Sequence, residues 1–310
     1  MSELTFTIYS PTKEADFEAA FALLAQHWPL AEQSASLAAL LAAWNLGRDK
    51  SCILLAAARG SQIVGAVCGN IVPGKTAGIY PPQLAMHEGE RTAVILLLEL
   101  EVMLMEQGVH LAQALLTLDA DREQQRLLNV GYQHVADLLY LVSEGSQFPD
   151  HPPKLPFTLD RYDLNDQPRL EALIQTTYVG TLDCPLVDQM REPADVLAGY
   201  RAASPSGSAH WYIARQNGRD IGCLLLSEFP SDDQLEIVYL ALVPEVRGRG
   251  WGMELTRFAQ WQARELQRAR VVLAVDAENL PAIQMYATCC FGVCDERSAF
   301  VKHLAAGKSS

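Results

Sequence analysis

Basic residues are scarce in this 310-residue chain: 24 Lys and Arg stand against 37 Asp and Glu, a formal net charge of −13. Tracking a nucleic-acid backbone needs dense Lys and Arg, and adsorption to anionic lipid needs the same sign of charge, so neither partner is expected. The seven cysteines (Cys52, Cys68, Cys184, Cys223, Cys289, Cys290 and Cys294) are odd in number and form no CxxC pair. That argues against a disulfide framework or a structural zinc site and for a reducing, cytoplasmic setting. The seven histidines lack ligand spacing, and His87-Glu88 does not extend to HExxH, so no metal is expected. The longest apolar run, residues 93–105, is interrupted by Glu99 and Glu101 and falls short of the ~20 residues that span a bilayer. Met1-Ser-Glu-Leu-Thr has no basic n-region before an apolar core, so a signal peptide is not expected.

What the chain has is apolar material, 49% of residues, with 20% charged, enough to build real cores. Its length exceeds the ~100–200 residues of one domain, so two are expected. The acidic excess lies mostly in the first 150 residues, with 8 Lys/Arg against 17 Asp/Glu, compared with 16 against 20 in the rest. Its ordinary meaning is solubility. Residues 144–156, EGSQFPDHPPKLP, cluster Gly, Ser and Pro without apolar periodicity and read as a linker, 146–156, between domains at 1–145 and 157–310.

Periodicity assigns the same order of elements to both halves. The first reads as strand 6–9, helices 16–26 and 36–44, strands 52–57, 63–69 and 77–80, helix 91–107, strand 114–118, helix 122–130 and strand 137–142. The second reads as strand 157–162, helices 167–178 and 193–203, strands 209–215, 221–228 and 235–243, helix 249–267, strand 271–275, helix 281–288 and strand 299–303. The expected fold class is α/β with a mixed α+β sheet, built by internal duplication.

The chemistry concentrates in Val243-Pro-Glu-Val-Arg247-Gly248-Arg249-Gly250-Trp251-Gly252-Met253, between an apolar strand and a long helix. Glycines allow close backbone approach, and a helix start adds partial positive charge, so this is a nest suited to a pyrophosphate. It is neither the dinucleotide GxGxxG, because position 253 is Met, nor a Walker loop, because no Lys-Ser or Lys-Thr follows. The bland reading is a turn that binds nothing.

Arg247, Gly250 and Gly252 match the Arg/Gln-x-x-Gly-x-Gly/Ala signature of GNAT-type N-acetyltransferases, which the chain resembles over about residues 157–304. Upstream, Leu240-Ala241-Leu242-Val-Pro is similar to the family's strand end; downstream, Asn279-Leu-Pro-Ala-Ile-Gln-Met-Tyr286 is similar to its Asn-x-x-Ala-x-x-x-Tyr helix, followed by Phe291. Position 290 departs from the pattern, with Cys in place of the usual Gly. The layout resembles tandem GNAT enzymes of the mycothiol synthase type, in architecture and not in substrate.

The resemblance implies acetyl-CoA as co-substrate. Leu240, Ala241 and Leu242 would pair with its pantetheine arm, and the backbone of Gly248 to Met253 would hold its pyrophosphate, with the Arg247 and Arg249 side chains assisting. Asn279 joins this set. Tyr286 matches the tyrosine that protonates the coenzyme sulfur, and Glu236 resembles the family's glutamate base; the bland readings are a packed tyrosine and a strand-end carboxylate. Tyr178 and Asp183 fall where the family lines its acceptor site. The implied activity is acetylation of a primary amine, on a small molecule or peptide, by direct attack in a ternary complex. The alternative is a non-catalytic acyl-CoA-binding sensor or interaction module.

The first half retains Asn129-Val-Gly131-Tyr132, but its loop Gln83–Glu90 holds one glycine and two glutamates. Carboxylates repel a pyrophosphate, so this half is expected to be degenerate.

Overall fold

The computed structural model describes residues 6–26, 51–188 and 190–304. It divides into two compact units, Met1–His134 with Ala299–Ser310, and Val135–Ser298. The units cut the chain differently from the division at 145 and 157, because the second takes most of the strand 133–144 and the first takes the end of the last strand, from Ala299.

In the first unit the elements are β1 (Thr7–Tyr9), α1 (Glu14–Leu24), β2 (Cys52–Arg59), β3 (Gln62–Val72), β4 (Thr76–Leu84), α2 (Glu90–Glu106), β5 (Leu111–Leu116) and α3 (Asp121–Asn129). Strands run β1-β2-β3-β4-β5 and end on the last residues of β12 (Gly292–His303). Leu96, Leu97, Leu100 and Leu104 of α2 are fully buried on one face of this sheet with Phe300 and Leu304. Such i, i+4 spacing is what makes the helix amphipathic. Lys302 of β12 donates to Glu101 Oε2 and to the Val130 carbonyl, each at 2.6 Å, fixing that strand end. Pro81 and Pro82 lie in β4 where the β3–β4 register shifts, since proline cannot donate to a ladder. The expected helix at 36–44 lies outside the described residues.

The second unit contains most of β6 (Gln133–Glu144), then β7 (Thr158–Arg161), α4 (Gln167–Thr177), α5 (Pro185–Asp188), α6 (Pro193–Ala203), β8 (His210–Gln216), β9 (Arg219–Phe229), β10 (Gln234–Leu242), α7 (Trp251–Glu265), β11 (Arg270–Asp276), α8 (Leu280–Thr288) and the start of β12. Its sheet runs β6-β11-β10-β9-β8-β7, with β12 on the far side of β6. β6 pairs antiparallel with β11 along Leu138 to Glu144. The segment read as a linker is anchored: the Gly145 N–H donates to the Ala269 carbonyl at 2.7 Å, and Phe148 and Phe157 enter the core. Leu224, Leu225 and Leu226 are fully buried, as a central strand covered on both faces requires.

One feature recurs in both units. β4 and β5 pair in parallel only over Thr76–Gly78 and Leu111–Gln113, and β10 and β11 only over Gln234–Glu236 and Arg270–Val272. Beyond those bridges the strands splay, so one edge of β10 from residue 237 to 242 is left without a ladder partner. An extended ligand can add to such an edge as a strand would. No helix among the described residues is long and apolar enough to cross a membrane.

Candidate active site

The splay leads into the glycine loop. Gly248 (φ +73°) and Gly250 (φ +78°) both occupy the left-handed region, and a Cβ on either would meet nothing within 4 Å. Conformation rather than crowding therefore requires glycine there. Gly250 caps α7, and the Glu254 N–H bonds back to its carbonyl at 3.3 Å. A helix start leaves its first amides without intrahelical acceptors, so Trp251, Gly252 and Met253 present N–H groups with the positive end of the helix dipole. Gly252 serves packing: a Cβ would come within 2.8 Å of Met285 Sδ on α8. The Arg249 guanidinium lies 5.2 Å from the centre of the Trp251 ring and donates to the Glu245 carbonyl.

The Arg247 side chain has a different geometry from the one expected of it. Nε donates to the Leu242 carbonyl at 2.9 Å, Nη1 to Val179 and Gly180, and Nη2 to Thr177 at 2.7 Å. These donors satisfy the open carbonyls at the end of α4, where a cation also meets the negative end of the dipole. Arg247 is thus a clamp between the end of β10 and the end of α4, shaping the loop instead of reaching outward.

Leu240 and Ala241 are half-buried and Leu242 is buried. A sequence reading misses Gly222, opposite Leu242 on β9: a Cβ there would overlap the Ala241 carbonyl. Its signal is a glycine inside a strand pattern, which marks close backbone approach.

Glu236 is half-buried at the last bridge between β10 and β11, and loss of hydration raises its carboxyl above the ordinary range. Immediately after it the β10–β9 register shifts. Glu236 faces Ser227 and Tyr239 faces Leu225, so Glu236 and Tyr239 share a face although three residues apart. The Tyr239 hydroxyl is 2.8 Å from Thr177 Oγ1, and its ring stacks with Tyr200 at 6.3 Å. Tyr178, at the C-cap of α4, packs against the same core. An unbroken apolar run cannot reveal a bulge, so a sequence reading misses Tyr239, and only the packing of α6 brings Tyr200 to it.

On the opposite strand the structure brings Asp183, Asn279 and Tyr286 together. The Asp276 N–H donates to Asp183 Oδ1 at 2.9 Å, the Cys184 N–H donates to Asp276 Oδ2 at 3.0 Å, and the Asn279 amide bonds Asp183. Asn279 also caps α8 by accepting from the Ala282 N–H. Asp183 thereby fastens its loop to the end of β11; loss of hydration raises its carboxyl, against the hydrogen bond from the Asp276 N–H that holds it. Tyr286 is buried, and desolvation, then Asp183 and Cys289, push its hydroxyl well above the usual phenol range. Its ring meets Phe291 at 5.6 Å. Phe291 N–H bonds the Tyr286 carbonyl and Cys290 N–H the Ala287 carbonyl, a Schellman closure in which Cys290 takes φ +63°. The cysteine thus holds the conformation that glycine usually supplies.

The first unit offers an internal comparison. Its Schellman turn uses Gly131 (φ +92°), with the Tyr132 N–H bonded to the Leu127 carbonyl, so Leu127 stands where Tyr286 does. Register puts Gly78 where Glu236 stands. At the start of α2, Glu88 is held bidentate by Arg59 at 2.8 Å and by Thr92 Oγ1 at 2.6 Å, and Glu90 is held by Arg126. Hydrogen bonds from Arg59 lower the Glu88 carboxyl to about 2. The chain's own carboxylates fill the place of an anion there. Among the described residues, no group of three or more His, Cys, Asp or Glu is placed to hold a metal.

Residues 170–291 match a family model described as acetyltransferase (GNAT) family. Among solved structures, a GCN5-related N-acetyltransferase from Sphaerobacter thermophilus is similar at 17% identity and TM-score 0.59, over 97% of this chain and 96% of that one. A tandem GNAT protein from the clavulanic acid biosynthesis pathway matches at 14% identity and TM-score 0.51, over 99% and 100%. The GCN5-related glucosamine N-acetyltransferase region of a fungal multi-domain GH3 β-N-acetylglucosaminidase matches at 16% identity and TM-score 0.62, over 97% of this chain and 38% of that one. At these identities the likeness is one of fold. No curated protein sequence gave a match. Residues 170–291 thus match the GNAT acetyltransferase family model, and the chain has the fold seen in tandem GNAT proteins.

Proposed function

We propose that the chain is an N-acetyltransferase that uses acetyl-CoA in its second unit to acetylate a primary amine by direct attack in a ternary complex, and that the N-terminal repeat is degenerate. One arrangement carries the reading: the β10–β11 splay runs into a glycine nest at the start of α7, with a half-buried carboxyl on one strand and a buried phenol on the helix after the other.

The residues fit the coenzyme. The loop presents backbone amides and no carboxylate side chain between Arg247 and Met253, as a pyrophosphate requires, and the open edge of β10 suits an extended arm. Bound acetyl-CoA supplies an activated acyl group as its thioester. The Leu242 N–H polarises the carbonyl from the strand edge. Glu236 takes a proton from the amine; its raised pKa brings it nearer to neutrality, where a base for an alkylammonium of pKa ~10 works best. Tyr286, like any phenol, is protonated at neutral pH, and its place on the helix after β11 makes it the donor to the departing thiolate. Asp183 and Asn279 position α8, and Arg247 positions the nest. In the first repeat, Gly78, Leu127 and the filled start of α2 leave no base, no phenol and no free nest, which supports a non-catalytic role for it.

Calorimetric titration with acetyl-CoA tests the reading, together with thioester cleavage over a panel of amines. One site, abolished by Gly250→Asp, with amine-dependent turnover is expected. Two sites would restore function to the first repeat, and binding without turnover on any amine would leave an acyl-CoA sensor.

A further inference from the structure

The sheet face that carries Glu236 continues beyond β10 across β11, β6 and the start of β12, all within the second unit. Val272 lies beside Glu236, and Ala274, two residues on and in the splayed part of β11, lies opposite Tyr140 of β6. α4 packs against β9 and β10, while Ala274 is exposed and Tyr140 half-buried. The small Ala274 side chain makes a floor between taller neighbours.

The far bank is β12. Ser298 Oγ donates to Asp137 Oδ1 at 2.6 Å, and Asp137 points away from the face of Tyr140 because strand residues alternate. By the same alternation Asp295 and Arg297 share the Tyr140 face, and they pair with each other at 2.7 Å. The electrostatics agree: the Tyr140 hydroxyl is raised first by burial, is pulled down by Arg297 and is pushed up by Glu236 and Asp295. Asp295 steadies the guanidinium, whose five N–H donors leave others for a ligand.

We propose that this face binds the acceptor, and that the acceptor is an amine carrying a carboxylate several bonds away, with the ammonium at Glu236 and the carboxylate at Arg297 beside the Tyr140 hydroxyl. The inference rests on the amine-acetylating function proposed above and names its substrate class. Three strand spacings separate β10 from β12, about 14 Å in all at ~4.8 Å each. The reach of an arginine and a glutamate takes up most of that span, which leaves room for an ω-amino acid or a diamino acid acetylated at its side-chain nitrogen. An α-amino group is too close to its own carboxylate to bridge both banks. Tyr140 belongs to the first repeat in sequence, so the strand exchange supplies part of the specificity.

The test compares kcat/KM, at saturating acetyl-CoA, for 5-aminovalerate and lysine against pentylamine, in wild type, Arg297→Gln, Arg297→Lys and Tyr140→Phe. Wild type is expected to favour the carboxylate-bearing amines by ~10-fold or more, the worth of one charge-assisted contact. Arg297→Gln should abolish that preference through KM, leaving pentylamine unchanged, and Arg297→Lys should restore part of it. Equal use of pentylamine by wild type, or a preference that survives Arg297→Gln, overturns the inference while the amine acetyltransferase stands. Acetyl-CoA binding without turnover of any amine removes both.

Discussion

The Arg247 guanidinium donates to the Thr177 carbonyl at 2.7 Å, across 70 residues of sequence. The glycine nest and the end of α4 are therefore one mechanical unit, since the same side chain also bonds Leu242, Val179 and Gly180. Thr177 in turn contacts Tyr239 on the face that carries Glu236.

Replacing Arg247 by Lys removes the fork that reaches these carbonyls. A loss of about 1–3 kcal/mol in urea unfolding is expected, with a rise in KM for acetyl-CoA that exceeds any fall in kcat. Unchanged stability with weakened binding would show instead that the guanidinium acts on the coenzyme directly.

Glu236 predicts opposite effects on stability and activity. Its folded pKa is raised by burial, so the folded protein binds this proton more tightly than the unfolded chain, and that contribution is lost as pH rises through the folded value. Glu236→Gln should therefore raise Tm at neutral pH and lose the advantage near pH 4. The acid limb of kcat/KM should flatten in the same variant; a wild-type rate and profile would eliminate the base.

For Tyr286→Phe, kcat should fall with KM for acetyl-CoA nearly constant, because the ring keeps its contact with Phe291 and only the proton donor is lost. An unchanged kcat removes Tyr286 from the chemistry.

Cys290→Gly should stabilise the protein by up to about 1 kcal/mol, because the left-handed conformation costs a side-chain-bearing residue more than the entropy that glycine adds to the unfolded chain. Differential scanning calorimetry measures this, and kcat should not move. A lower Tm would mean that the cysteine side chain contributes contacts worth more than the backbone penalty.

Much of this was legible in the sequence. Helix α6, read at 193–203, has those bounds in the structure, and most other elements differ from their reading by a few residues. Apolar spacing and Pro or Gly punctuation are local signals. Gly248 and Gly250 were readable because a left-handed backbone admits few other residues. The exchange of β6 and β12, by contrast, left no trace in periodicity, since a strand carries the same alternation whichever neighbour it joins. Asp183 illustrates the limit for single residues: a carboxylate in an acceptor loop reads as a ligand group until Asp276 and Asn279 are found holding it.

The sequence by itself determined the order of elements, its recurrence in both halves, the glycine nest and the residue types that suit acyl transfer, because these depend on spacing along the chain. Only the tertiary structure decided where the Arg247 donors go, that a bulge turns Tyr239 to the side of Glu236, and that Tyr140 joins the second unit. Those follow from which strands pair and in what register, a choice made by burial across the whole sheet and not by any residue's neighbours in sequence.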